Sequence, residues 1–179
     1  MRTYLRHFVP GGTYFFTVNL AERKQNDLLI RHIETLREAC RYLRRRHPFI
    51  IDAMVVLPEH LHCIWTLPDG DSDFPLRWRL LKAYFSRHIP TGERISPSRL
   101  RKNERGIWQR RLWEHMIRDD ADFQRHFDYI HYNPVKHGLV TAVADWPYSS
   151  FHRYVRAGLY ALHWGADLAA RFESFDGGE

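Results

Sequence analysis

The sequence predicts an α+β fold of the ferredoxin-like or RNA-recognition-like kind: a split βαβ pattern with a mainly antiparallel sheet, helices on one face, and an extra C-terminal helix after the fourth strand. Two observations carry this expectation. Short runs dense in aromatic and β-branched residues alternate with longer runs whose apolar residues recur at three- and four-residue steps. Their order along the chain is strand, helix, strand, strand, helix, strand. A length of 179 residues suits one compact domain over 1–179, with a frayed tail over about 173–179.

Gly11 and Gly12 punctuate the start, and Thr13 to Leu20 reads as a first, central strand. From Asp27 to about Arg46, Ile30, Ile33, Leu36, Cys40 and Leu43 fall on one side of a helix whose outer side carries Arg37, Arg41, Arg44 and Arg45. Pro48 ends that helix. Phe49 to Leu57 and His60 to Leu67 form two further strands, and the short Pro58-Glu59 link makes them an antiparallel hairpin. Asp73 and Pro75 mark the start of a second basic helix, with Leu76, Leu80, Tyr84 and Ile89 on its apolar side.

Thr91 to Arg105 is polar and basic and reads as a mobile loop, followed by a fourth strand within Ile107 to Ile117. Asp119 or Asp120 caps a third helix with Phe123, Phe127 and Ile130 on its apolar side. The pair Asn133-Pro134 is expected to interrupt it, and Gly138 to stop the turn beyond. Trp146 to Ser150 turns the chain into a short C-terminal helix.

The 27 Lys and Arg outnumber 21 Asp and Glu, for a net charge of +6, and 15% of the residues are aromatic. Basic grooves interleaved with rings suit single-stranded nucleic acid, although aromatics also build cores. Cys40 and Cys63 are too few for a zinc ribbon or a disulfide scaffold, which points to a reducing, cytoplasmic home, associated with the nucleoid if the partner is DNA. Residues 1–10 lack the apolar stretch of a signal peptide, and no segment reaches the roughly 18 apolar residues of a membrane helix. No membrane partner is expected, and a monomer or a homodimer would both fit.

Two constellations could carry chemistry. His60 and His62 stand two apart on a strand, so both imidazoles project from one face and can chelate one divalent ion; solvated or hydrogen-bonded histidines are the plainer alternative. Tyr129 and Asn133 share one side of a helix, beside the apolar stripe. A half-buried ring for Tyr129, and a cap at Pro134 for Asn133, are the competing readings. Tyr132 is a rival nucleophile on a nearby side of the same helix, and His131 and His137 are bystanders.

Pro58-Glu59-His60-Leu61-His62-Cys63-Ile64-Trp65, succeeded later by Asp128-Tyr129-Ile130-His131-Tyr132-Asn133-Pro134 and by Trp146-Pro147-Tyr148-Ser149-Ser150-Phe151, resembles the REP-associated tyrosine transposases of the HUH superfamily. The likeness runs from about Gly11 to Phe151. It implies that His60 and His62 hold a divalent metal, Mg²⁺ or Mn²⁺, that Tyr129 is the nucleophile, and that Asn133 completes the metal site where insertion-sequence relatives carry Gln. Glu59 stands where Asn is often found; strand alternation would turn it away from the metal. The implied activity is cleavage and rejoining of hairpin-associated single-stranded DNA through a 5′-phosphotyrosine.

Phosphate contacts are expected from Arg77, Lys82, Arg101, Lys102, Arg105, Arg110 and Arg111, with Trp108, Trp113 and Tyr84 as stacking residues. A noncatalytic, RNA-recognition-like binding module is the alternative, and a hydrolase that activates water is a third reading.

Overall fold

The computed structural model describes residues 8–166, Leu168 and Phe172; the tail over 173–179 lies outside the described residues. Strands β1 (Thr13–Asn19), β2 (Ile50–Val56), β3 (His60–Thr66) and β4 (Trp113–Met116) form one antiparallel sheet in the order β2-β3-β1-β4. Between β1 and β2 lie α1 (Leu28–Arg31) and α2 (Ile33–Arg46), and α3 (Phe74–Arg87) and α4 (Pro97–Leu100) lie between β3 and β4. After β4 come α5 (Asp120–Lys136), the 3₁₀ turn Val143–Asp145 and α6 (Phe151–Arg156). This is the predicted split βαβ arrangement.

Period-two alternation sorts the sheet into two cores. Tyr14, Phe16, Val18, Leu61, Cys63 and Trp65 fill one face with residues of α2 and α3. There Trp65 stacks on Trp78 with centroids 4.0 Å apart, a pairing worth about 1 kcal/mol beyond its buried area. Phe15, Ala53, Val55 and Ile64 fill the opposite face, closed by Phe127, Tyr129 and Ile130 of α5. The extra helix therefore lies across the sheet, on the face that α2 and α3 leave open.

Several element boundaries differ from the sequence expectation. His32 divides the first helix, because its backbone leaves the helical region between α1 and α2. The fourth strand is shorter than Ile107 to Ile117: Trp108 makes an isolated bridge to Leu20, and the ladder resumes only at Trp113, past the exposed Arg110 and Arg111. Asn133-Pro134 does not interrupt α5, which continues to Lys136. Pro134 removes one donor, from beneath the Ile130 carbonyl, and buried packing on the sheet outweighs that loss. The helix ends at Gly138, whose φ of +66° suits a residue without Cβ.

Arg77 does not reach solvent. Its side chain is buried, donating to Asp71 at 2.6 and 3.1 Å, to the Pro48 carbonyl at 2.9 Å and to the Asp73 carbonyl at 3.0 Å. The guanidinium beside Asp71 holds that carboxyl below the ordinary range. Arg105 is likewise committed. It pairs with Glu93 at 2.5 Å and donates to the carbonyls of Ser86, Ile89 and Pro90, pinning the loop expected to be mobile. The Arg105 hydrogen bonds hold Glu93 down at about 2. Trp108 is buried against Phe85. These three residues serve the fold: Arg77 and Trp108 are buried, and Arg105 is held by Glu93 and three carbonyls.

Ser150 ties α5 to the sheet: its hydroxyl accepts from the Met54 amide at 2.9 Å and lies 2.9 Å from Nε2 of His131. Burial pushes His131 down from 6.5 to about 3. The unfolded chain takes up this proton near 6.5 and the folded chain only near 3, so the stability held at neutral pH is lost as pH falls through that window. Between pH 7 and pH 5 the protein should lose roughly 2 kcal/mol more than its His131→Gln variant. Urea unfolding of both proteins at the two pH values checks this. Arg77→Ala should cost about 2–3 kcal/mol in the same assay, with Arg77→Lys failing to restore it because an ammonium cannot serve Asp71 and Pro48 together.

Candidate active site

The register of β1 against β3 sets Thr17 opposite His62 and Asn19 opposite His60, so all four side chains share the α5 face while Leu61 and Cys63 point to the other. The two imidazoles are fully buried, 4.9 Å apart and nearly perpendicular at 84°. Each has its Nδ1 edge engaged. His62 Nδ1 lies 2.8 Å from Thr17 Oγ1, and His60 Nδ1 lies 3.0 Å from Glu59 Oε1. The nitrogen each ring offers to a ligand is therefore Nε2.

Glu59 does not point away from the site, as strand alternation predicts. It precedes the first residue of β3, where the chain is still turning, and its carboxylate bridges His60 and Arg23, the latter at 3.2 Å. Burial works against its ionised form, but hydrogen bonds from His60 and Arg23 outweigh it and hold the carboxyl at about 2. An ionised carboxylate on the far nitrogen fixes the tautomer and direction of a ligating imidazole. His60 Nε2 and the neighbouring Asn19 Oδ1 are buried with no hydrogen-bond partner among the described residues. Leaving such atoms unsatisfied costs about 1–3 kcal/mol each, so a donor pair of this kind fits a bound cation.

Helix α5 crosses this face. Asp119 caps it, accepting from the Asp122 amide at 2.8 Å. Tyr129 is wholly buried with its ring 5.4 Å from that of His62, in edge contact. Asn133, one turn on, is also wholly buried and lies inside the helix, so it is not a cap. Lys136 donates to Tyr129 Oη at 3.0 Å, and the His137 ring stands 5.1 Å from that of His60. His137 is thus no bystander in position, whereas His131 packs away among Phe127, Phe151 and Tyr154. Tyr132 turns from the histidines and stacks on Phe172 at 5.2 Å. Of the two tyrosines, Tyr129 is the one in contact with the His60–His62 pair.

A second cluster lies nearer the start of α5. His115 of β4, Asp122 and His126 offer ligand atoms all within 4.8 Å of one another, a set capable of coordinating a divalent ion. Asp122 is buried; burial opposes its charge, but hydrogen bonds from His115 at 2.8 Å and from the Arg118 amide hold it at about 2. Burial also lowers His126, which packs on Phe15 at 4.8 Å; Phe15 in turn touches His62 and Tyr129. The sequence reading missed this cluster. Asp122 and His126 are a visible i, i+4 pair, but His115 joins them only through sheet register. It missed Lys136 as well, whose spacing of seven from Tyr129, two helical turns, was the available signal.

Among the expected DNA contacts, Arg101, Lys102 and Arg111 are exposed. Arg110 is exposed but bonded to Glu104 and Ser98, and Lys82 donates to the Gln109 carbonyl at 3.0 Å. Trp113 is half-buried against Phe15, and Tyr84 stacks on His88.

No protein-family model matches the chain. It is 48% identical over 168 residues to the REP-associated tyrosine transposase of Escherichia coli K12, covering 94% of this chain and 93% of that one. A Haemophilus influenzae protein whose name assigns it provisionally to the same group is 45% identical over 168 residues, covering 93% of this chain and 95% of that one. A solved structure of a REP-associated tyrosine transposase bound to a REP hairpin superimposes with a TM-score of 0.83 at 46% identity, over 100% of this chain and 98% of that one.

Proposed function

The chain belongs to the REP-associated tyrosine transposases of the HUH superfamily, and from that premise we propose that it cleaves and rejoins hairpin-bearing single-stranded DNA, with Tyr129 as nucleophile. The edge contact between the Tyr129 and His62 rings carries this reading, because it sets a phenol beside a buried pair of metal-ligand side chains. The resemblance of the solved relative, which was bound to a REP hairpin, supports a hairpin substrate for this chain. The whole chain acts as one catalytic domain, on nucleoid DNA in the cytoplasm.

Tyr129 Oη attacks the scissile phosphorus, the bond from phosphorus to the 3′ oxygen breaks, and the protein is left joined to the 5′ phosphate. The ester conserves the energy of the broken bond, so a 3′ hydroxyl can reverse the step; water would waste it. A free phenol has a pKa near 10, so preparing the phenolate at neutral pH costs about 4 kcal/mol. His60 and His62, through Nε2, and Asn133, through its amide oxygen, would hold Mg²⁺ or Mn²⁺, whose chemistry is to polarise a phosphoryl oxygen. Glu59 and Thr17 orient the two rings from behind. Because Tyr129 is wholly buried, the phosphate reaches it only where the side chains covering it part. Arg101, Lys102 and Arg111 contact phosphates, and Trp113 offers a ring face to a base.

Incubation with labelled single-stranded hairpin DNA and Mn²⁺, then a denaturing gel, tests the reading. A covalent protein–DNA band is expected, absent in Tyr129→Phe with DNA affinity within twofold, and lost on chelation or in His60→Ala and His62→Ala. Cleavage by Tyr129→Phe at the full rate would reject Tyr129. Loss of the band in His115→Ala with retention in His60→Ala would move the metal to the second cluster. A binding module without chemistry would give no band in any arm. Separately, the triple replacement of Arg101, Lys102 and Arg111 by Ala should flatten the slope of log affinity against log salt by about 2; an unchanged slope removes them from the interface.

A further inference from the structure

We propose that Lys136 is a catalytic residue that serves as the cationic hydrogen-bond partner of the Tyr129 oxygen in both directions of strand transfer. The inference rests on the reading of Tyr129 as nucleophile and adds a residue to that chemistry.

Lys136 Nζ donates to Tyr129 Oη at 3.0 Å and lies 4.8 Å from the centroid of the same ring. A spacing of seven returns the side chain to the same side of α5 after two turns. The ordinary course for a lysine in a last helical turn is to extend into water beyond the helix end, where it also answers the terminal carbonyls. This one folds back along the helix to a phenol that is wholly buried. A charge–oxygen contact shielded in this way is screened far less than one at the surface. The hydrogen bond from the ammonium also restrains the phenol oxygen, on a ring that meets His62 in edge contact.

In cleavage, Oη bonds to phosphorus, the bond to the 3′ oxygen breaks with its electron pair, the phenol proton passes to water and the 3′ oxygen takes one from water. In rejoining, a 3′ hydroxyl oxygen bonds to phosphorus and gives its proton to water, while the phosphorus–Oη bond breaks with its pair left on Oη. Negative charge on Oη is greatest at the start of the first step and the end of the second. At both moments the Lys136 ammonium is its hydrogen-bond donor, a placement of fixed charge where charge develops.

Lys136→Met and Lys136→Arg separate this role from a structural one. The first readout is the ¹³Cζ resonance of Tyr129 in metal-free protein at fixed pH, identified by its loss in Tyr129→Phe. The second is the single-turnover rate of adduct formation with hairpin DNA and Mn²⁺, beside the DNA dissociation constant. Lys136→Met should move the resonance and slow the adduct roughly 100-fold with DNA affinity within twofold, and Lys136→Arg should recover the rate to within about tenfold of the unaltered protein. An adduct at full rate in Lys136→Met, or an unmoved resonance, overturns the proposal. If Lys136→Arg is as slow as Lys136→Met, a cation at this point is not what matters, and the proposal also fails. Absence of any adduct from the unaltered protein would instead defeat the strand-transfer reading, and the resonance alone would then decide whether Lys136 holds the Tyr129 oxygen.

Discussion

The antiparallel register between β1 and β3 is the constraint on which the rest of the molecule depends. Thr17 opposite His62 and Asn19 opposite His60 place a hydroxyl and an amide beside two imidazoles on one face of the sheet. A slip of one residue would either carry Tyr14, Phe16 and Val18 out of the core with α2 and α3 or turn both histidines into it. The aromatic core is therefore what enforces the polar site: Trp65 stacked on Trp78, and Phe16 packed on Trp65 and Phe74, can be satisfied in one register only. Energy gained on one face of the sheet specifies geometry on the other.

Helix α5 has to be polar where it meets that face and apolar elsewhere, and it resolves the conflict by being buried almost throughout. Asp122, His126, Tyr129 and Asn133 recur at three- and four-residue steps along one side. Phe127 on another side is covered by Tyr154 and Tyr160 of the chain beyond it. The helix is thus held between sheet and C-terminal elements, with the Asp119 cap and the Asp122 hydrogen bonds at one end and Ser150 bonded to His131 further along. Holding Tyr129 on such a helix limits the positions that its side chain can take.

The fold was legible because its signals are periodic and local: aromatic strands such as Thr13 to Asn19, the proline link between β2 and β3, and the four-residue rhythm of α3. His60 and His62 were legible for the same reason, since two-residue alternation is a property of any strand. Pro134 misled because the packing that offsets its lost hydrogen bond is tertiary, with Ile130 and Asn133 buried on the sheet. The burial of Arg77 and Trp108 and the partners of Arg105 were not legible, because a charge or a ring in sequence carries no label of its surroundings. The two arginines are consumed by partners far along the chain, such as Pro48 for Arg77 and Ser86 for Arg105. His115 joined to Asp122, and Glu59 turned onto His60, needed strand ends and register that composition does not fix.

The placement of Cys63 has a consequence for which atoms stand beside the paired imidazoles. The alternation that aligns His60 with His62 throws the adjacent thiol to the far side of the sheet, into the core with α2 and α3, where burial pushes it well above its ordinary range. A sulfur ligand one residue from an imidazole would favour zinc and other thiophilic metals; walled off behind the backbone, it leaves nitrogen and oxygen atoms on the face that α5 covers. Strand geometry thus keeps sulfur out of reach of the paired imidazoles.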